Sequence, residues 1–401
     1  MNYTFLSKRM NNKQIFLKIL KYFWGWRIFL FIAAYLATIL ITNFGNRFPY
    51  SDRVLVVTEL PNWIWGFGNF DGVHYLRIAQ NGYFAEYTQA FFPLYPIIIK
   101  LLNFFPKGNL DLNLYTDPSY FYTSLILSVV FFISALYFVF KLWEEQYGKK
   151  TANLAVLLLL SFPTAFYFGA IYSEALFLLL TVLVFWFSKK EKFLLAGVFA
   201  ALASATKILG VLLFIYLAIE VWSKYKGKFK NLTAKFWGDL IGVLISPLGI
   251  IGYMYYLYRV FNNPIYFMTA QSAFGAERAD VPIILLPQVI YRYIKILLSV
   301  TPSSIAFWNA SLELGITLVL IIGIIWSFRK IKFSYWIFVT LAVLLPTLSG
   351  TLTSMPRYVL LAFPLFPLIA KFNKASKYII MAQIALQMLF VALFVRGYWI
   401  A

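Results

Sequence analysis

The chain has 401 residues, of which 62% are hydrophobic, 20% aromatic and only 12% charged, too little polar surface to cover a water-soluble globule. Its net charge of +20 would suit a nucleic-acid partner if it lay along one exposed face, but the cations sit in short loops between apolar runs, where membrane topology explains them. The absence of cysteine excludes disulfides and thiolate metal sites.

The first 27 residues carry Lys8, Arg9, Lys13, Lys18, Lys21 and Arg27 and no acid, the pattern of a cytoplasmic flank. The apolar run that follows, RIFLFIAAYLATILITNF, has a long basic leader and no convincing cleavage site, so it reads as a first uncleaved helix. With the N-terminus inside, the positive-inside rule places five further basic loops in the cytoplasm: KLWEEQYGKK at 141, KKEK at 189, SKYKGKFKNLTAK at 223, RKIK at 329 and KFNKASK at 371. Apolar segments near 28–44, 119–140, 151–169, 172–188, 193–206, 209–222, 236–261, 312–328, 333–352, 358–370 and 378–396 supply an even number of crossings between each consecutive pair. The predicted chain is therefore a single all-α, polytopic membrane domain over 1–401 with about eleven helices. Ten of the fifteen acids, Asp71, Glu86, Glu174 and Glu277 among them, then fall on the non-cytoplasmic side. Two outer segments, AFFPLYPIIIKLLNFF at 90–105 and PIILLPQVIYRYIKILLSV at 282–300, are proline-interrupted and carry cations within the apolar run, which suits interfacial or re-entrant helices.

Chemistry-bearing residues collect in the outer loops. The longest polar stretch, 45–118, contains NFDGVHYLRIAQNGY at 69–83, with the only histidine of the chain. If this stretch is helical, Asp71, His74 and Tyr75 share a face at i, i+3 and i+4 while Arg77 points elsewhere, and an acid beside an imidazole could position a hydroxyl. The plain alternative is an amphipathic interfacial helix that turns its polar side to water. Glu86 adds a second carboxylate in the same loop. Farther on, Glu174 in FGAIYSEALF, Lys207 in ASATKILG and Arg357 in SMPRYVLLAFPLFP sit in or beside apolar runs. Ionisable groups at membrane depth are costly and usually face a cavity or a partner, although Lys207 and Arg357 at helix ends could also snorkel to the interface.

The sequence holds no Walker-type or G-x-G-x-x-G loop, no D-x-D, no H-E-x-x-H and no G-x-S-x-G, which argues against a cytoplasmic nucleotide substrate. A transporter or lipid flippase would be expected to show inverted repeats and charges spread through the membrane depth, whereas these charges gather at one face. A membrane scaffold would leave that gathering without a purpose.

The runs FDGVHYLRIAQNGY, AFFPLYP, SFPTAFYFGAIYSEALF, ASATKILG, SMPRYVLLAFPLFP and RGYWIA, in that order over 69–401, resemble the signature stations of the PIG-V family of GT-C glycosyltransferases. The chain has Phe70 where that family usually has tryptophan, and Lys207 where it usually has arginine. The resemblance implies the GT-C fold of a prokaryotic plasma-membrane relative. It also implies transfer of a sugar, mannose above all, from a polyprenyl-phosphate carrier to a glycolipid or glycan acceptor at the non-cytoplasmic face, with inversion. Asp71 would be the base, His74 and Glu86 would orient the base or the acceptor, and Tyr75, Arg77, Tyr95, Glu174, Lys207 and Arg357 would bind substrate. The implied partners are that donor, that acceptor and membrane lipid, not nucleic acid. A phosphate leaves without needing protonation, so one base suffices and no cofactor or metal is called for.

Overall fold

Local sequence sets the start and stop of each helix. Asn12–Leu40 begins at a reciprocal cap, in which the Asn11 side chain accepts from the Gln14 amide at 2.8 Å and the Gln14 side chain accepts from the Asn11 amide at 3.1 Å. Pro118–Ser161 begins at Asp117, whose carboxylate accepts from the Ser119 amide at 2.8 Å with proline in the first turn. These features belong to a computed structural model that describes residues 10–45, 51–104, 115–226, 234–274 and 283–400. Lys8, Arg9 and Glu277 lie outside the described residues. Among the described residues all regular structure is helical.

Among the described residues five helices are long and apolar enough to cross a membrane: Asn12–Leu40, Pro118–Ser161, Ile208–Tyr225, Ile305–Ser327 and Asn373–Val395. A sixth is added if Ala234–Ile245 and Leu248–Phe261, bent by 41° around Pro247, count as one span. This is fewer than the eleven apolar segments of the sequence, for two physical reasons. Gly148 leaves the helical region at φ 80, ψ 161 and breaks the Pro118–Ser161 stretch, so one long element holds two of the segments. Others form helices too short to qualify alone, including Phe193–Ser204, Phe333–Thr347 and Met355–Ala370. The outward faces of the long helices are as apolar as the inward ones: Ile28, Ile32, Val319 and Ile322 are all exposed. A helix apolar all round and facing outward is solvated by lipid, and the chain is a multi-pass membrane protein.

Helices approach one another closely where small residues meet. A Cβ on Gly197 would stand 1.9 Å from the Gly242 carbonyl oxygen, so Phe193–Ser204 and Ala234–Ile245 touch backbone to backbone. The two proline-interrupted segments contribute Leu94–Leu101, of 8 residues, and Leu286–Ser299, of 14 residues.

The bundle has two chemically distinct ends. At one, the basic loops knit together: Lys189 and Lys190 each reach Glu145 at 3.0 Å. Lys224 pairs with Asp239 at 2.7 Å and Glu191 at 3.1 Å, Lys332 with Glu220 at 2.5 Å, and Lys371 lies 5.2 Å over the Tyr147 ring. The Glu174–Lys189 helix runs 16 residues from that end, about 24 Å at 1.5 Å per residue, to a second set of charges at its start.

Candidate active site

Asp71 opens the Asp71–Asn81 helix from a constrained approach. Phe70 precedes it at φ 59, ψ −115, a conformation that side chains rarely adopt and that must be held by its surroundings. The surroundings are specific. The Phe70 ring packs at 5.0 Å from Trp399 and 5.6 Å from Phe394. Asn69 donates to the carbonyls of Phe394 at 2.9 Å and Val395 at 3.1 Å. The Tyr172 hydroxyl donates to the Asn69 carbonyl at 2.9 Å and accepts from the Asp71 amide at 3.2 Å. Gly72 follows so tightly that a Cβ there would lie 3.2 Å from the Ile171 carbonyl oxygen. The carboxylate is thus aimed by backbone and aromatic contacts on three sides.

It points at Arg357. The guanidinium Nη1 meets Asp71 Oδ2 at 2.7 Å and lies 3.9 Å from Glu174 Oε1, while Nη2 donates to the Ser354 hydroxyl at 3.1 Å. Tyr167, Trp399 and Tyr172 surround it with ring centroids at 5.2, 5.4 and 5.6 Å. Burial works against the charge, but the facing Asp71 and Glu174 outweigh it and raise the guanidinium pKa above its ordinary value. Glu174 Oε1 in turn receives Lys207 Nζ at 2.6 Å. Glu174 Oε2 is buried without a hydrogen-bond partner among the described residues. Charges therefore alternate along a relay: Asp71, Arg357, Glu174, Lys207.

Those four residues and Tyr75 line one cavity of about 690 Å³, within the size range of small-ligand sites. The Tyr75 hydroxyl is held by Ser173 at 3.0 Å. The other residues singled out from the sequence are placed elsewhere. Glu86 is exposed and does not line the cavity. Arg77 is half-buried on another side of the helix. Tyr95 is fully buried, 3.3 Å from the Ser128 hydroxyl. His74 is buried behind the cavity wall, stacked at 4.8 Å on Phe91 and edge-on at 5.2 Å to Phe274. Among the described residues no group of three His, Cys, Asp or Glu side chains converges as metal ligands would.

The environment of His74 has a measurable consequence. Burial lowers its pKa to about 4, against an opposing pull from Asp71. The native state therefore refuses a proton that the unfolded chain accepts near 6.5. The neutral form's contribution is complete above pH 6.5 and is lost as the pH falls from 6.5 towards 4, by roughly 3 kcal/mol in full. Thermal unfolding in detergent should thus decline more steeply over that window for the parent than for His74→Phe; parallel declines would remove His74 as the source.

The chain matches the family model described as Mannosyltransferase (PIG-V) over residues 10–396. It belongs to the PIG-V mannosyltransferase family. It is 29% identical over 134 residues to GPI mannosyltransferase 2 of Drosophila pseudoobscura pseudoobscura, an alignment covering 33% of this chain and 28% of that protein. To GPI mannosyltransferase 2 of Drosophila melanogaster it is 25% identical over 213 residues, covering 50% of this chain and 46% of the relative. The chain spans less than half the length of these curated relatives. A similar solved structure is the Archaeoglobus fulgidus oligosaccharyltransferase complex with Zn and sulfate, at 10% identity and a TM-score of 0.41 over 93% of this chain and 53% of that one.

In this PIG-V family chain the cavity also takes in residues that sequence reasoning passed over: Arg292, Tyr293, Asn309, Glu313, Thr351 and Trp399. A signal existed for one of them. Glu313 lies in FWNASLELGITL, and an acid inside an apolar helix is a functional-site flag by the same rule that selected Glu174. The signal is obscured because the apolar run begins at 312, which makes Glu313 a flank, whereas the helix runs Ile305–Ser327.

Proposed function

We propose that this chain transfers mannose from a polyprenyl-phosphate carrier to a hydroxyl of a lipid-linked or glycan acceptor, by a GT-C type inverting displacement with Asp71 as base. The observation that carries the reading is the alternating relay of Asp71, Arg357, Glu174 and Lys207 in one cavity. Asp71 takes the proton of the acceptor hydroxyl as its oxygen bonds the anomeric carbon. The bond from that carbon to the carrier phosphate breaks, and its electron pair leaves on the phosphate oxygen. The departing phosphate needs cations rather than an acid, which suits Arg357 and Lys207. In the resting site both cations are engaged by carboxylates, so an arriving phosphate that draws Arg357 also loosens its hold on Asp71 and frees the base. The knitted basic end belongs in the cytoplasm of a prokaryotic plasma membrane by the positive-inside rule, with the cavity at the opposite face.

The test is reconstitution in lipid nanodiscs with polyprenyl-phosphate-[¹⁴C]mannose and a membrane extract as acceptor pool. Label is expected to move to a glycolipid or glycan fraction. Label that moves only from GDP-mannose, or never leaves the polyprenyl carrier, defeats the reading.

A further inference from the structure

The cavity has a second, less charged end. There Glu313, only 6% exposed, accepts a hydrogen bond from the Tyr293 hydroxyl and a further side-chain hydrogen bond from Thr353. Tyr293 is also 3.1 Å from the Thr351 hydroxyl and accepts from the Leu352 amide at 3.0 Å. Thr351 and Thr353 are themselves joined at 2.9 Å. The carboxyl group is thus pinned by hydroxyls and, among the described residues, makes no ion pair of the kind that Asp71 and Glu174 make. The helix carrying it turns Ala306, Asn309, Ala310 and Glu313 towards the cavity at spacings of three and four, so small side chains leave room beside the acid.

We propose that Glu313, set by Tyr293 and Thr353, is the subsite that recognises hydroxyl groups of the donor sugar and selects among hexoses. The inference rests on the proposed transfer from a phosphate carrier and deepens it. Three points support it. A carboxyl group has about four acceptor positions, and Tyr293 and Thr353 occupy two, which leaves acceptors open towards the cavity. The same loop ties both ends of the cavity: Thr351 touches Tyr293, and Ser354 touches Arg357 at 3.1 Å. Glu313 and Arg357 line the same cavity, so a sugar bonded to a phosphate held at Arg357 would lie in the space that Glu313 borders. An acid in an apolar helix is costly, and a purely structural link to Tyr293 could be made by an uncharged side chain at less cost.

The experiment compares the purified protein's affinity for polyprenyl phosphate with its affinity for polyprenyl-phosphate-mannose, -glucose and -galactose, all without acceptor. The parent should bind one hexose carrier better than the bare carrier. Glu313→Gln keeps the size of the side chain and an acceptor for Tyr293. It should lose about 3- to 100-fold of that preference, the range covered by hydrogen bonds to neutral and to charged groups, while bare-carrier affinity stays unchanged. Tyr293→Phe, which removes only the positioning hydroxyl, should lose part of the preference in the same direction, and it serves if Glu313→Gln fails to fold. An equal loss for bare and sugar-bearing carriers in both variants, or an unchanged hexose preference, overturns the proposal. Because binding is read without turnover, a preference that depends on Glu313 in a protein that never transfers sugar would keep the subsite and defeat only the transfer reading.

Discussion

Replacing Asp71 with asparagine is expected to slow sugar transfer by about 10²- to 10⁴-fold, the usual cost of losing a general base. Folding should survive. The amide keeps an oxygen for the 2.7 Å contact from Arg357, and Arg357 retains Ser354 and the three surrounding rings. Carrier binding should be at least as strong as the parent's, since a neutral amide competes less than a carboxylate with phosphate for Arg357. Glu86→Gln is the matched control: it removes the other conspicuous carboxylate of the same loop, but from an exposed position outside the cavity, and should act at near-parental rate. Rapid transfer by Asp71→Asn would end the assignment of the base, and a dead Glu86→Gln would reassign it.

The second large effect is at Arg357, whose removal harms stability and chemistry together. Arg357→Ala leaves Asp71 and the buried Glu174 without the cation between them, and stripping one partner from such a cluster typically costs about 3 to 5 kcal/mol. A lower Tm in detergent and a large loss of carrier affinity should appear together. Arg357→Lys separates the two. Its ammonium restores a positive charge and should recover most of the Tm, but it cannot present a planar fork to two phosphate oxygens. Carrier affinity should therefore stay depressed in Arg357→Lys. Parental affinity in that variant would show that the phosphate is held elsewhere.

Much of this site was legible because charge is scarce. In a chain so apolar, Asp71, Glu174, Lys207 and Arg357 stand out individually, and the structure brings all four to one cavity. Their pairing was not legible. Asp71 and Arg357 are 286 residues apart, and no local periodicity specifies a contact at that separation. Sequence proximity misled in the other direction. His74 and Glu86 lie near Asp71 along the chain, yet one turn of helix sends His74 behind Phe91, and the loop after Gly82 carries Glu86 outward. Helix positions followed from apolar runs and basic loops. Span lengths did not, because breaks at Gly148 and Pro247 depend on backbone conformations that hydropathy does not register.

The wall formed by Phe394, Val395 and Trp399 has a consequence in time. These residues hold Asn69 and Phe70, and through them the aim of Asp71, and Trp399 is one of the rings around Arg357. Arg396 adds a 2.9 Å bond to Asn62, and its carbonyl receives the Gly45 amide at 2.8 Å. Ribosomes make this wall more than three hundred residues after the loop it braces. During synthesis the strained turn at Phe70 has no clamp, and the Asp71 carboxylate has no fixed direction, until the Asn373–Val395 helix has entered the membrane and brought the wall into place. A nascent chain that stalls before that point carries every acid and cation of the relay but not the geometry that sets them against one another.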